Sequence, residues 1–195
     1  MTRDYELAAV DLAGSQFTVE QTGRDENFRP EYEARDVTGD TVFRGTYNMY
    51  QNPGEFSFVD ADGDEVVAVT ASGALDIAGD YLLTDSQTGE DLVILENDLS
   101  PSRDTWRIRD ADDRSVLAEI NSRGALVTLG RKVLPFGQWI AHEYTITDTE
   151  GERVGSIESE FAMFDEYAVT LSDTSAVPTD PIVVGTAVID AVQGT

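Results

Sequence analysis

The sequence predicts an all-β fold with one helix: a closed antiparallel barrel of about twelve strands around an apolar C-terminal α-helix. Three observations predict it. A short motif recurs along the chain, in the order aromatic, any residue, apolar, any residue, Asp, then a polar turn and a second apolar run. The copies follow one another without an intervening helical pattern, which argues a meander of hairpins rather than βαβ units. The chain then closes on a run, PIVVGTAVIDAVQGT, that is apolar on nearly every side.

Taken in order, the elements begin with a strand near Phe17 to Glu20. Hairpins follow at Tyr32 (YEARDVTGDTVF), Phe56 (FSFVDADGDEVV), Tyr81 (YLLTDSQTGEDLVI), Trp106 (WRIRDADDRSVL) and Tyr144 (YTITDTEGERVG), and a last strand starts at Tyr167 (YAVTL). Within each copy the alternation turns one strand face inward, and the Asp accepts backbone N–H bonds as an Asx-type turn begins. Gly39, Gly63, Gly89 and Gly151 supply the positive φ that reverses the chain. The interval between the hairpins at Trp106 and Tyr144 is longer and carries RGALVTLGRKVLPFGQWIAH, Arg123 to His142, read as an elongated hairpin arm. So many antiparallel strands leave two open edges unless the sheet closes, and a barrel of this size has room inside. The filler is the terminal run, with Asp180 expected to cap a helix, Pro181 at its first position and Gly194 past its end. A helix apolar on all sides must be buried on all sides. At about 1.5 Å per residue, residues 181–193 suit a barrel interior and are too short for a bilayer. A terminal pair of strands is the alternative, because the run is rich in β-branched residues. Residues 1–195 are expected to form one domain, with barrel strands over 12–172 and the central helix over 181–193.

Composition narrows the function. Thirty-eight Asp and Glu against 13 Lys and Arg give a formal net charge of -25, spread over almost every turn rather than blocked on one segment. Such a surface repels itself unless counterions screen it, and reads as adaptation to a saline cytoplasm. Unassisted nucleic-acid binding is disfavoured, since phosphate neutralisation needs a basic patch. The chain has no Cys, so neither disulfides nor thiolate chemistry is available. The N-terminus shows no signal-peptide pattern and no apolar run is long enough for a transmembrane helix. A cytoplasmic location is expected, with peripheral membrane association as the variant.

The hairpins FSFVDADGDEVVAV and WRIRDADDRSVLAEI, the elongated arm, and the closing run FDEYAVTLSDTSAVPTDPIVVGTAVIDAVQ together resemble the tubby C-terminal-like superfamily, in the branch of LURP-one-related proteins and phospholipid scramblases. The resemblance covers residues 12–193, and the acidic composition suits a haloarchaeal-type member. It implies a twelve-stranded barrel threaded by its hydrophobic C-terminal helix. Function follows less directly: tubby domains bind phosphoinositides and scramblases are associated with calcium-dependent lipid movement, but the scramblase calcium segment and palmitoylated cysteines have no counterpart here.

A headgroup site would need cations. The candidates are Arg107 and Arg109 on one strand face, Arg131 and Lys132 in the arm, and Trp139 beside them, against the plainer reading of surface charge balancing neighbouring carboxylates. Asp60, Asp62 and Asp64 invite a calcium reading, but Gly63 falls at the wrong loop position for an EF-hand and a hairpin turn explains them better. His142 stands alone, and no nucleophile elbow or phosphate loop appears. Asp190, an acid inside the apolar run, needs a donor, a raised pKa, or a place in water at the barrel mouth; the last is the expectation. The expected function is a non-enzymatic binding or scaffolding module for lipid headgroups or a protein partner, with no catalytic residues, cofactor or metal. The alternative is a hydrolase using a carboxylate pair in a barrel-mouth pocket.

Overall fold

A computed structural model describes residues 5–48, 54–72, 79–100, 103–122, 143–160 and 166–193. Twelve strands run in chain order as β1 (Gln16–Arg24), β2 (Pro30–Asp36), β3 (Thr41–Asn48), β4 (Glu55–Val59), β5 (Glu65–Ser72), β6 (Asp80–Asp85), β7 (Asp91–Ser100), β8 (Arg103–Asp110), β9 (Val116–Ser122), β10 (Glu143–Thr147), β11 (Arg153–Glu160) and β12 (Glu166–Leu171). Each pairs antiparallel with the next, and β1 pairs with β12 in the register Gln16↔Thr170 to Glu20↔Glu166, so the barrel closes. Closure leaves no open edge among the described strands for another chain to extend.

The aromatic that opens each repeat points inward. Tyr32, Phe56, Tyr81, Trp106 and Tyr144 are all buried, as are the apolar residues two positions on. The repeat also hides a feature that alternation alone does not announce. The pairing register shifts immediately after Ala34, Phe58, Leu83, Ile108 and Ile146, the apolar position of every copy. Each hairpin therefore carries a bulge just before its turn Asp, which adds local twist and bends the strand toward closure.

The apolar terminal run is helical: α1 (Thr179–Gln193) lies in the core, with every residue from Asp180 to Ala191 buried. Its β-branched residues have modest helix propensity, but the barrel wall wraps them and burial outweighs the preference. Gly185 faces Leu95 of β7, which a Cβ at this position would meet at 3.4 Å, an ordinary van der Waals contact.

Two expectations for this helix need correction. Asp180 is not the N-cap: the helix already begins at Thr179, so Asp180 lies inside its first turn, where it is buried and its Oδ2 accepts the Leu7 N–H at 2.7 Å. Asp190 does not sit in water at the mouth. It is buried among the strands, accepting hydrogen bonds from the hydroxyls of Tyr32 (3.0 Å) and Tyr167 (2.7 Å). Both tyrosines belong to the inward-facing set, and their hydroxyls supply the donors that a buried carboxylate requires.

Ahead of β1, residues 5–12 form a segment without strand pairing, folded over the end of the barrel where α1 begins. Leu7 and Leu12 join the core. Three buried aspartates hold the segment: Tyr5 Oη donates to Asp110 Oδ2 (2.7 Å), Leu7 N to Asp180 Oδ2 (2.7 Å) and Ala8 N to Asp85 Oδ2 (2.8 Å). The sequence reading missed this strap because it has neither a helical nor an alternating pattern.

Candidate functional site

Alternation along β8 places Arg107 and Arg109 on the outer face, where Arg107 is the direct cross-strand partner of Glu96 on β7 and Glu119 on β9. Its guanidinium is ringed by carboxylates, with Glu96 at 3.0 Å, Asp98 at 3.0 Å and Glu119 at 3.1 Å. Arg109 grips both oxygens of Glu96, at 2.6 and 3.2 Å, and donates to the Arg114 carbonyl at 3.0 Å. Two guanidiniums thus face three carboxylates. The Arg109 hydrogen bond, against the opposing effect of burial and helped by Arg107, holds the Glu96 carboxyl below the usual carboxylate range.

A second lattice on β1–β3 has the same construction. Glu33 is shared by Thr41, Arg35 and Arg44, and Arg35 also reaches Glu20. Burial raises the Glu33 carboxyl, but those donors outweigh it and leave it lowered. These patches are ion-pair networks on an otherwise acidic wall, and such networks hold together better than isolated surface pairs.

The remaining candidates, Arg131, Lys132 and Trp139, with His142 and the whole arm from 123 to 142, lie outside the described residues. Arg107 and Arg109 lie close together on one face.

A cavity of about 480 Å³ does open at the strap end of the barrel, between Glu6, Val10 and Leu12 of the strap and Val177 to Asp180 at the start of α1. The hydrolase alternative calls for a carboxylate pair in a barrel-mouth pocket. Asp180 is already committed to Leu7, which is a structural use of the acid. Asp25, Glu33, Asp36, Asp85, Glu96 and Asp173 are each held below the ordinary carboxylate range, and none of them lines this cavity.

The DADGDE turn resolves in favour of the hairpin. Asp60 Oδ1 accepts the N–H groups of Asp62 (2.9 Å) and Asp64 (3.0 Å), so this oxygen holds the turn. Among the described residues no group of His, Asp and Glu is arranged to hold a metal ion, and no helix is long and apolar enough to cross a membrane.

A closed antiparallel barrel filled by its own C-terminal helix defines the tubby-like fold. The chain belongs to the LURP-one-related family, whose profile matches residues 41–190, and through it to the tubby-like superfamily. Comparison with curated proteins gives no match. Family membership points to a non-enzymatic module.

Proposed function

We propose that the chain binds a protein partner on the outside of its barrel, over the β7–β9 face that carries Arg107 and Arg109. The arm residues Arg131, Lys132 and Trp139 are proposed, from sequence, as further contributors. One observation carries this reading: α1 fills the interior, so recognition falls to the outer surface. The charge arrangement favours protein over lipid. An anionic headgroup would have to displace Glu96, Asp98 and Glu119 from guanidiniums they already satisfy, whereas a protein surface bearing both signs can exchange one set of ion pairs for another.

The test compares the intact chain with a variant in which Arg107, Arg109, Arg131 and Lys132 are changed to Ala. It uses co-purification from native extract and co-sedimentation with anionic vesicles in molar salt. The expected result is a stoichiometric protein partner lost in the variant, with vesicle behaviour identical for the two chains. Vesicle binding that depends on the four cations would replace the protein reading with headgroup recognition.

A further inference from the structure

Between β1 and β2 the chain reverses through a turn built like those of the repeats. Asp25 N donates to Arg29 O at 2.9 Å and Phe28 N to Asp25 O at 3.0 Å. Asp25 Oδ1 accepts the N–H groups of Asn27 and Arg29, both at 2.9 Å. Bond for bond this is the Asp36–Asp40 turn, where Asp36 N donates to Asp40 O, Gly39 N to Asp36 O, and Asp36 Oδ1 accepts from Thr38 and Asp40. The fourth position is Gly39, Gly63 or Gly151 in the shorter repeat turns, at φ values of 87°, 91° and 83°. In the β1–β2 turn it is Phe28, at φ 62°.

A bulky side chain in left-handed backbone is a steric outlier, and the neighbouring Asn27 is of a type that would tolerate the position far better. The strain is not offset by packing, for the Phe28 residue is 71% exposed. Strained residues that return nothing to the core are characteristic of contact sites.

The surroundings indicate what the ring meets. Arg24 is exposed and its Nη1 donates to the Phe28 carbonyl at 3.2 Å, while Arg29 pairs with Asp25 at 2.6 Å. With Arg24 and Arg29 balancing Asp25 and Glu26, the turn is locally neutral on a chain of formal net charge -25. The other exposed large apolar residue among those described, Val37, lies in the β2–β3 turn at the opposite end of the barrel. Protein anchors sit within a broad rim of contacts that exclude water. A lone ring flanked by guanidiniums instead suits a bilayer interface, where the ring enters below the headgroups and the arginines stay at the phosphate level.

We propose that the Phe28 turn is a lipid-inserting tip that seats this end of the barrel on a bilayer surface. It is a different site from the β7–β9 face and does not rest on the reading of that face.

The test is flotation of the full chain with vesicles of phosphatidylcholine alone and of phosphatidylcholine with phosphatidylglycerol, each at low and at molar salt. The wild-type chain should bind both, with affinity for phosphatidylcholine that salt does not abolish. Phe28→Gly should lose that binding several-fold while melting a few degrees higher, because the strain is relieved. Phe28→Trp should keep it, with emission that shifts blue on vesicles beyond the background of Trp106 and Trp139. Unchanged binding in Phe28→Gly, no binding by the wild type, or a lower melting temperature for Phe28→Gly would each overturn the proposal. A co-purifying protein lost in Phe28→Gly while vesicle binding persists would also overturn it, making the ring a protein anchor.

Discussion

The five repeat hairpins fall into two kinds, and the difference lies in one residue of turn length. After Asp36, Asp60 and Asp148 the chain reverses in a short loop closed by Asp36 N to Asp40 O, Asp60 N to Asp64 O and Asp148 N to Glu152 O. After Asp85 and Asp110 it takes one residue more, closing on Glu90 and Ser115. All five aspartates use one oxygen in the same way, accepting two backbone N–H bonds of their own turn. Only Asp85 and Asp110 are buried, and only their second oxygens hold the strap, at Ala8 and at Tyr5. The same sequence signal therefore serves a local purpose at three sites and a long-range one at two.

Predictions follow from that contrast, beginning with the largest. Asp85→Ala orphans the N–H groups of Gln87, Thr88 and Ala8 and should lower unfolding free energy by about 3 kcal/mol, read from denaturant titration at constant m-value. Asp110→Ala should cost about 2 kcal/mol and Tyr5→Phe about 1 kcal/mol, and the double variant should cost less than the two together, because both remove one shared bond. Asp60→Ala, in an exposed turn, should cost no more than about 1 kcal/mol. If it costs as much as Asp85→Ala, the strap is not what separates the two kinds.

The smallest effect is a local one in acid. Burial pushes the Asp85 carboxyl up, but the N–H groups of Ala8, Thr88 and Gln87 outweigh that and hold it below its ordinary value. Its contribution is therefore present above the unfolded pKa of about 3.9 and fades as pH falls through the lower folded value. Amide exchange at Ala8 should speed up, relative to amides in the central strands, as pH drops below about 4. Uniform loosening across the barrel would count against a strap held by carboxylates.

Much of the fold is legible in the sequence for a physical reason. Hairpin aromatics, turn aspartates and glycines act within a few residues of themselves, so strand count and helix position can be read locally. The strap cannot, because Tyr5, Leu7 and Ala8 are bound by residues far along the chain. The extra residue in SQTGE and ADDRS was visible, and is the signal that could have marked Asp85 and Asp110 as different. Asp190 is illegible for a similar reason: its donors are the hydroxyls of Tyr32 and Tyr167, and alternation places those rings on the inward face without saying what their polar ends bind. The cation site was legible only as a list of charges, since pairing with Glu96, Asp98 and Glu119 depends on strand register. Phe28 escaped notice because its turn lacks the glycine that marks the other short turns.

The helix that fills the barrel is also the element that follows all twelve strands in the chain. During synthesis the strands leave the ribosome first, with their inward aromatics facing a space whose occupant has not yet been made, and β1 must wait for β12 before the wall can close. Folding of this architecture is thus a late, all-at-once event dominated by contacts distant in sequence, which predicts a slow nascent chain with a lengthy window of exposed apolar surface.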